Sequence, residues 1–140
     1  IRVPFIVNQP GMVPIQTLDN LIYFPDMMPT LAALAKGTKH LPKQINGINI
    51  LPLFYGKQVD TDNRLLYWEF PGKQRAARKG DWKCVTIHPN QPLELYNLKE
   101  DPEETNNLAK KYPRRVKEFD EEMQRMHIPT PNWPQPGEQF

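Results

Sequence analysis

The stretch that decides the fold runs from residue 65 to residue 97 and reads LLYWEFPGKQRAARKGDWKCVTIHPNQPLELYN. Turn-forming residues separate four short runs within it, at 65–70, 74–78, 82–87 and 92–97. Lys79-Gly80-Asp81, between the second and third runs, is typical of a tight hairpin. Together the four runs predict a four-stranded antiparallel meander.

An amphipathic helix is predicted downstream of this sheet. Val116, Phe119, Met123 and Met126 recur at helical spacing within residues 112–126. One helix of this kind can cover one face of the sheet. Residues 128–140 carry four prolines and predict an extended tail.

Residues 1–56 form a different set of predicted elements. Residues 1–7 are apolar and rich in β-branched side chains, which predicts a strand. Asp26 is the predicted N-cap of a helix, and Gly37 is its predicted left-handed C-cap. A short helix is predicted within residues 48–55, ending at Gly56.

Composition excludes several classes of protein. The chain has 140 residues, 39% of them hydrophobic, and a net charge of +2 from 18 basic and 16 acidic residues. Interleaved charges of this kind do not predict nucleic-acid binding. No run approaches the roughly 20 apolar residues of a membrane span, and no leader sequence is visible. Because the first residue is Ile1, we expect a segment upstream.

Six short motifs within residues 1–108 resemble, in order, motifs of the type I sulfatases. They are Ile1-Arg2-Val3-Pro4, Asp26-x-x-Pro29-Thr30-Leu31, Asn46-Gly47-Ile48 with Leu51-Pro52-Leu53, Arg78-Lys79-Gly80-Asp81-Trp82-Lys83, Leu95-Tyr96-Asn97-Leu98, and Asp101-Pro102-x-Glu104 with Asn107-Leu108. Asn46 stands where the family usually has Asp. Residues 67–70, Tyr-Trp-Glu-Phe, are similar to the version in bacterial carbohydrate sulfatases of the arylsulfatase type.

The resemblance implies an α/β parent of alkaline-phosphatase-like fold, and in this chain an α+β part with a four-stranded antiparallel sheet packed by a C-terminal helix. It implies hydrolysis of sulfate esters, with a sulfated carbohydrate as substrate. The family's nucleophile is a formylglycine made from the Cys or Ser of a C/S-x-P-x-R motif, and its metal is usually calcium. A bacterial parent would be periplasmic or extracellular.

The nucleophile motif is absent from this sequence, because the single cysteine, Cys84, is followed by Val85-Thr86-Ile87. In the family, the nucleophile and the metal ligands lie upstream of the first matching strand. We therefore expect a chain with no catalytic or metal residues of its own, inactive alone and completed by an N-terminal sulfatase domain. On this interpretation residues 1–56 end the large domain, residues 57–127 form the small subdomain, and residues 128–140 form the tail.

Four residues are candidates for contact with the substrate, since loops of this subdomain often line the pocket rim in the family. Trp68 would stack on a sugar ring, and Glu69 and Gln74 would hydrogen-bond to hydroxyl groups. Arg75 would hold an anionic neighbour. The alternative interpretation places Trp68 in the core and the polar residues on a solvated face of the sheet.

Other polar residues are expected to be structural. Arg2 is favoured as an ion-pair partner behind the catalytic site, and His127 is expected to serve the C-terminus of the last helix. Basic residues at 110–115 could bind a polyanion. Acidic residues follow them on the same helix, however, and pairs such as Arg114–Glu118 favour a solvated face.

Two other functions stay open from the sequence. A detached subdomain could recognise sulfated glycan without cleaving it. A related phosphonate or phosphate ester hydrolase would share the fold, and its upstream nucleophile motif would distinguish it.

Overall fold

The chain folds as two compact units, Ile1–Thr61 (unit 1) and Asp62–Phe140 (unit 2). The structure is a computed structural model that describes residues 3–70, 74–88, 91–132, 134 and 137–139. Arg2 and its expected ion pair therefore lie outside the described residues. Among the described residues, no helix combines the length and the apolar composition needed to cross a bilayer.

All four predicted strands form one antiparallel sheet in unit 2. They are β1 (Leu66–Phe70), β2 (Gln74–Lys79), β3 (Trp82–Thr86) and β4 (Glu94–Asn97), adjacent in the order β1-β2-β3-β4. The tight turn between β2 and β3 contains Gly80, whose φ of +56° lies in the left-handed region that glycine tolerates. The predicted meander is confirmed.

The predicted helix is also confirmed, as α3 (Pro113–Met126), which packs against β2. The buried core of unit 2 consists of Ala77, Cys84, Leu95, Phe119 and Met123. The strand residues of this core share one face of the sheet because Ala77 is paired with Cys84 and Cys84 with Leu95 directly across the strands. The helix residues are four apart and so share one face of α3.

The segment after β4 occupies the outer edge of that strand. The Leu108 N–H donates to the Leu95 carbonyl at 2.8 Å, and Asn107 Oδ1 accepts from the Leu95 N–H at 3.2 Å. Asn107 Oδ1 also accepts from the Ala109 N–H at 2.9 Å. Both outward backbone groups of Leu95 are thereby satisfied.

Unit 1 contains two short helices, α1 (Met27–Leu34) and α2 (Leu51–Phe54). A 3₁₀ turn, Phe24–Asp26, leads into α1, and a second, Thr38–His40, follows it. The short helix predicted within residues 48–55 is confirmed as α2. Gly56 follows it with a φ of +73°, as expected of the glycine that ends the helix.

The end of α1 differs from the prediction by one residue. Lys36, not Gly37, adopts the left-handed conformation, with a φ of +56°. The Lys36 N–H donates to the Ala33 carbonyl at 3.1 Å, and the Gly37 N–H donates to the Ala32 carbonyl at 2.7 Å. These two bonds form a Schellman motif with lysine at the position that glycine usually takes.

Asp26 is the N-cap residue of α1, as predicted, but its side chain makes no capping hydrogen bond to that helix. Its buried carboxylate accepts from the Tyr23 N–H at 2.9 Å and from the Ile48 N–H at 3.0 Å. Thr30, also buried, accepts at Oγ1 from the Ile50 N–H at 3.0 Å. The Asp-x-x-Pro-Thr motif therefore holds the Asn-Gly-Ile segment against α1.

The strand predicted for residues 1–7 is not present in its described part. Residues 3–9 have no regular structure, and Val3 and Ile6 are 78% and 86% exposed. The described residues of unit 1 contain no strand at all. A strand forms only where a neighbouring strand can pair with its backbone, and an apolar pattern alone cannot supply one.

Candidate functional site

The four candidate residues lie together at one end of the β1–β2 hairpin, but on two faces of the sheet. Glu69 pairs with Arg75 across the two strands. Their side chains share the face of Ala77, which is in the core with α3, because side chains alternate along a strand. Trp68 and Gln74 therefore lie on the opposite face.

Arg75 links the sheet to α3. Its Nη2 donates to Asp120 Oδ1 at 3.2 Å, and the other oxygen of Asp120 accepts from Gln124 at 2.9 Å. The Arg75 Nε is buried without a hydrogen-bond partner among the described residues. These contacts favour a structural role for the Arg75 guanidinium over direct contact with a substrate anion.

Glu69 belongs to a hydrogen-bonded cluster that sequence reasoning missed. Glu69 Oε2 accepts from the Tyr67 hydroxyl at 2.5 Å and lies 2.8 Å from His127 Nδ1. The second ring nitrogen of His127, Nε2, contacts Glu138 Oε1. We name these four residues, Tyr67, Glu69, His127 and Glu138, the histidine clasp.

The charges of the histidine clasp favour a protonated imidazole. Both ring nitrogens face a carboxylate, and only the imidazolium can donate from both. Hydrogen bonds to Glu69 and then Glu138 raise the pKa of His127 above its ordinary value. Burial, followed by the hydrogen bond to Glu69, raises the pKa of Tyr67, so its hydroxyl remains a donor.

His127 does not have the role expected from its position. Its side chain pairs with two carboxylates, while only its backbone N–H bonds to the helix, at the Met123 carbonyl. Glu69 and His127 are 58 residues apart in sequence, so no local pattern could have linked them. A glutamate in one strand of the sheet and a histidine just after the helix predicted to cover that sheet were the only available signal.

The basic residues at the start of α3 contact aromatic rings. The Arg115 guanidinium lies 4.3 Å from the centroid of the Trp82 ring, and Lys111 Nζ lies 5.4 Å from that of Tyr112. Further along α3, Lys117 pairs with Glu121 and Arg125 with Glu122. The basic cluster is thus partly engaged within the chain.

Two motif residues that follow β2 in the sequence, Lys83 and Asp101, stabilise the loop after β4. Lys83 Nζ lies 2.6 Å from both carboxylate oxygens of Glu104, whose φ is +59°. Asp101 accepts from the N–H groups of Thr105 and Asn106 at 3.1 and 2.8 Å. These contacts explain the Asp-Pro-x-Glu pattern without any chemistry on a substrate.

Cys84 is a core residue of the sheet. It has no exposed surface, and burial raises the pKa of its thiol to about 12. Within the described part of the chain, no three His, Cys, Asp or Glu side chains are grouped so that they could hold a metal ion. The described residues therefore do not fit the formylglycine or the calcium ion that the resemblance implies.

Comparison with known proteins places the chain among sulfatases. Residues 1–128 match the family model described as "N-sulphoglucosamine sulphohydrolase, C-terminal". An uncharacterized protein of Haemophilus influenzae is 33% identical over 126 residues, which cover 82% of this chain and 63% of that protein. The Ulvan-active sulfatase of Formosa agariphila is 27% identical over 146 residues, which cover 78% of this chain and 29% of that enzyme.

Solved sulfatases share the fold. A 2-O GAG sulfatase is similar with a TM-score of 0.58 and 28% identity, over 71% of this chain and 24% of that structure. The expected alkaline-phosphatase-like parent fold is confirmed by this structure and by two further solved structures, each 27% identical, with TM-scores of 0.59 and 0.61. The chain spans less than two thirds of the length of the curated relatives it matches, and only about a quarter of the solved sulfatase.

Proposed function

Because the chain belongs to the family of N-sulphoglucosamine sulphohydrolase C-terminal regions, we propose that it is the C-terminal region of a sulfatase acting on sulfated carbohydrate. The single observation that carries this proposal is the family match over residues 1–128. Relatives whose names specify ulvan or glycosaminoglycan sulfate support the substrate class. Hydrolysis of the sulfate ester is then the activity of the whole enzyme.

Within that enzyme, the end of the β1–β2 hairpin is the proposed rim of the substrate pocket. Trp68 and Gln74 share the sheet face opposite α3, and their side chains are partly exposed. We assign to them the contacts with the sugar. Glu69 and Arg75 support the rim from the other face, since both are held by residues at or beyond α3.

The catalytic groups are proposed to lie in the part of the enzyme outside this chain. The resemblance supports a formylglycine nucleophile and a calcium ion there, which together would supply covalent catalysis and charge stabilisation. The same resemblance supports export of a bacterial parent. The chain itself contributes support and substrate contacts.

The test uses the full-length enzyme with its maturation completed. We expect hydrolysis of a chromogenic aryl sulfate and of sulfated oligosaccharides, and no preference for an aryl phosphonate. Gln74→Ala should raise KM for the oligosaccharide about fivefold, the cost of one hydrogen bond. It should leave hydrolysis of the small aryl sulfate unchanged.

Gln91→Ala is the matched control, because Gln91 is exposed and lies in the β3–β4 connection. It should leave both substrates unaffected. A mature enzyme that cleaves no sulfate ester would contradict the proposal. Binding of sulfated glycan without cleavage would favour a binding module, and phosphonate hydrolysis would favour the related ester hydrolases.

A further inference from the structure

A cleft of about 400 Å³ lies in unit 2, where the sheet meets the loop after β4 and the start of α3. Its lining includes two aromatic rings, Trp82 and Tyr112, and four polar or charged side chains, those of Glu100, Asp101, Asn106 and Lys111. Trp82 pairs with Asn97 at the β2–β3 turn end of the sheet. Glu69 and Arg75 lie at the other end, so the cleft is separate from the proposed rim.

Two aromatic rings in the cleft are held in fixed positions. Trp82 and Tyr112 meet edge to face, with centroids 5.3 Å apart and planes at 73°. Arg115 lies over Trp82, and Lys111 lies over Tyr112. Rings fixed in this way offer a rigid apolar surface to a ligand at small entropic cost.

The polar wall of the cleft is equally well fixed. The Asp101 carboxylate accepts from the backbone N–H groups of Thr105 and Asn106 and from the Thr105 hydroxyl at 3.0 Å. These hydrogen bonds lower the pKa of Asp101, and the bond from the Asn106 N–H has the largest effect. The Asp101 carboxylate therefore stays ionised. The Leu108 N–H anchors the end of the loop to Leu95 of β4.

Some polar groups of the cleft are available to a ligand. Within the described residues, the side chains of Glu100 and Asn106 make no hydrogen bond, and both are exposed. They supply a carboxylate acceptor and an amide that both donates and accepts. A cleft with an aromatic surface and a few such groups is the usual form of a site for a small polar molecule.

We propose that this cleft binds an uncharged sugar ring of a glycan. The aromatic pair suits the apolar C–H face of a pyranose, and Glu100 and Asn106 suit its hydroxyl groups. Glu100 and Asp101 bring two negative charges, and Lys111 together with Arg115 over Trp82 brings two positive charges, so the cleft has no net charge that would favour a sulfated ring. The choice of a glycan as the ligand rests on the proposed function. The description of the cleft does not depend on that function.

The test is saturation-transfer NMR on the complete 140-residue chain, with N-acetylglucosamine, methyl β-galactoside and N-acetylglucosamine 6-sulfate as probes. We expect saturation transfer to a neutral sugar and no tighter binding of the sulfated one. Glu100→Ala should weaken binding of the neutral sugar about tenfold, as expected when a hydrogen bond to a charged acceptor is lost. Asn106→Ala should weaken it about fivefold.

Glu103→Ala is the matched control, since Glu103 is an exposed carboxylate of the same loop that does not line the cleft. It should change the affinity less than twofold. The proposal is overturned if no neutral sugar binds, if the 6-sulfate binds clearly more tightly than its neutral counterpart, or if neither cleft variant weakens binding. This readout needs no hydrolysis, so it fails or succeeds independently of sulfatase activity.

Discussion

At the scale of single residues, Gly47 shows why one motif has its form. A Cβ built at this position would lie 2.0 Å from the Pro25 carbonyl oxygen and 2.9 Å from the Asp26 nitrogen. Only a hydrogen can occupy that space, and the close approach lets Asp26 reach the Ile48 N–H. Packing within unit 1 therefore requires glycine at the second position of the Asn46-Gly47-Ile48 motif.

We expect Gly47→Ala to lower the free energy of unfolding by about 3 kcal/mol, because the clash is with backbone atoms that cannot rotate away. Urea denaturation followed by circular dichroism would measure the loss. Gly37→Ala is the control, since its φ is negative and its nearest neighbour would be 3.7 Å away. An equal effect of both variants would contradict the steric explanation.

Cys84 should behave as an inert core thiol. Its complete burial and its pKa of about 12 predict no reaction with a thiol reagent at about pH 8 while the protein is folded. Denaturation in urea should expose the thiol and allow complete reaction. Rapid labelling of the native chain would show that the β3 core opens readily.

At the scale of elements, the histidine clasp connects β1, the end of α3 and the tail. The strands and α3 were predictable because their apolar residues recur with regular periods. The clasp was not, because it depends on which end of the helix meets which strand. Sequence reasoning placed Glu69 correctly on a strand, and alternation puts the adjacent Trp68 on the opposite face, but the sequence did not show which of the two faces α3 covers.

The clasp should make unit 2 less stable as the pH rises. The pKa of His127 is higher in the folded state than its value of about 6.5 in the unfolded chain. Its contribution to the stability of the fold is therefore complete below about pH 6.5, and it is lost as the pH rises through the folded-state pKa. We therefore expect His127→Gln to destabilise the chain at about pH 6 and to have much less effect at about pH 9. Thermal unfolding at both values would measure this.

His40→Gln provides the comparison, because His40 is exposed in unit 1. It should leave the melting temperature unchanged at either pH. If His127→Gln destabilises the chain equally at about pH 6 and about pH 9, the ring stabilises the fold by packing and not by its protonation.

At the scale of the whole molecule, apolar exposure is uneven. Of the thirteen large apolar residues that are exposed among those described, ten lie in unit 1, including Ile6, Ile15 and Phe24. Val3, Phe5 and Ile6, from the predicted strand at 1–7, belong to this set. Their apolar pattern predicted a buried strand, whereas in the structure Val3 and Ile6 are exposed and, among the described residues of that stretch, only Phe5 has a ring contact, with Phe54 at 6.1 Å between centroids.

The isolated chain should therefore associate with itself. Light scattering coupled to size exclusion should show species larger than 16.4 kDa. Replacing Ile6, Ile15 and Phe24 by serine should shift the population toward the monomer. The same replacements at Ile87 and Ile128 of unit 2 should have a smaller effect, and a monomeric wild-type chain would contradict the expectation.

The side-chain and backbone bonds from Asn107 and Leu108 to Leu95 have a consequence for how this region can be recombined. A sheet recruits further strands, from its own chain or from a neighbour, through unpaired backbone groups at its rim. At the middle of β4 those groups are already committed. To add a fifth strand there, the designer of a chimaera would first have to remove Asn107 and Leu108. That would leave an unpaired strand edge on which fibrils could grow.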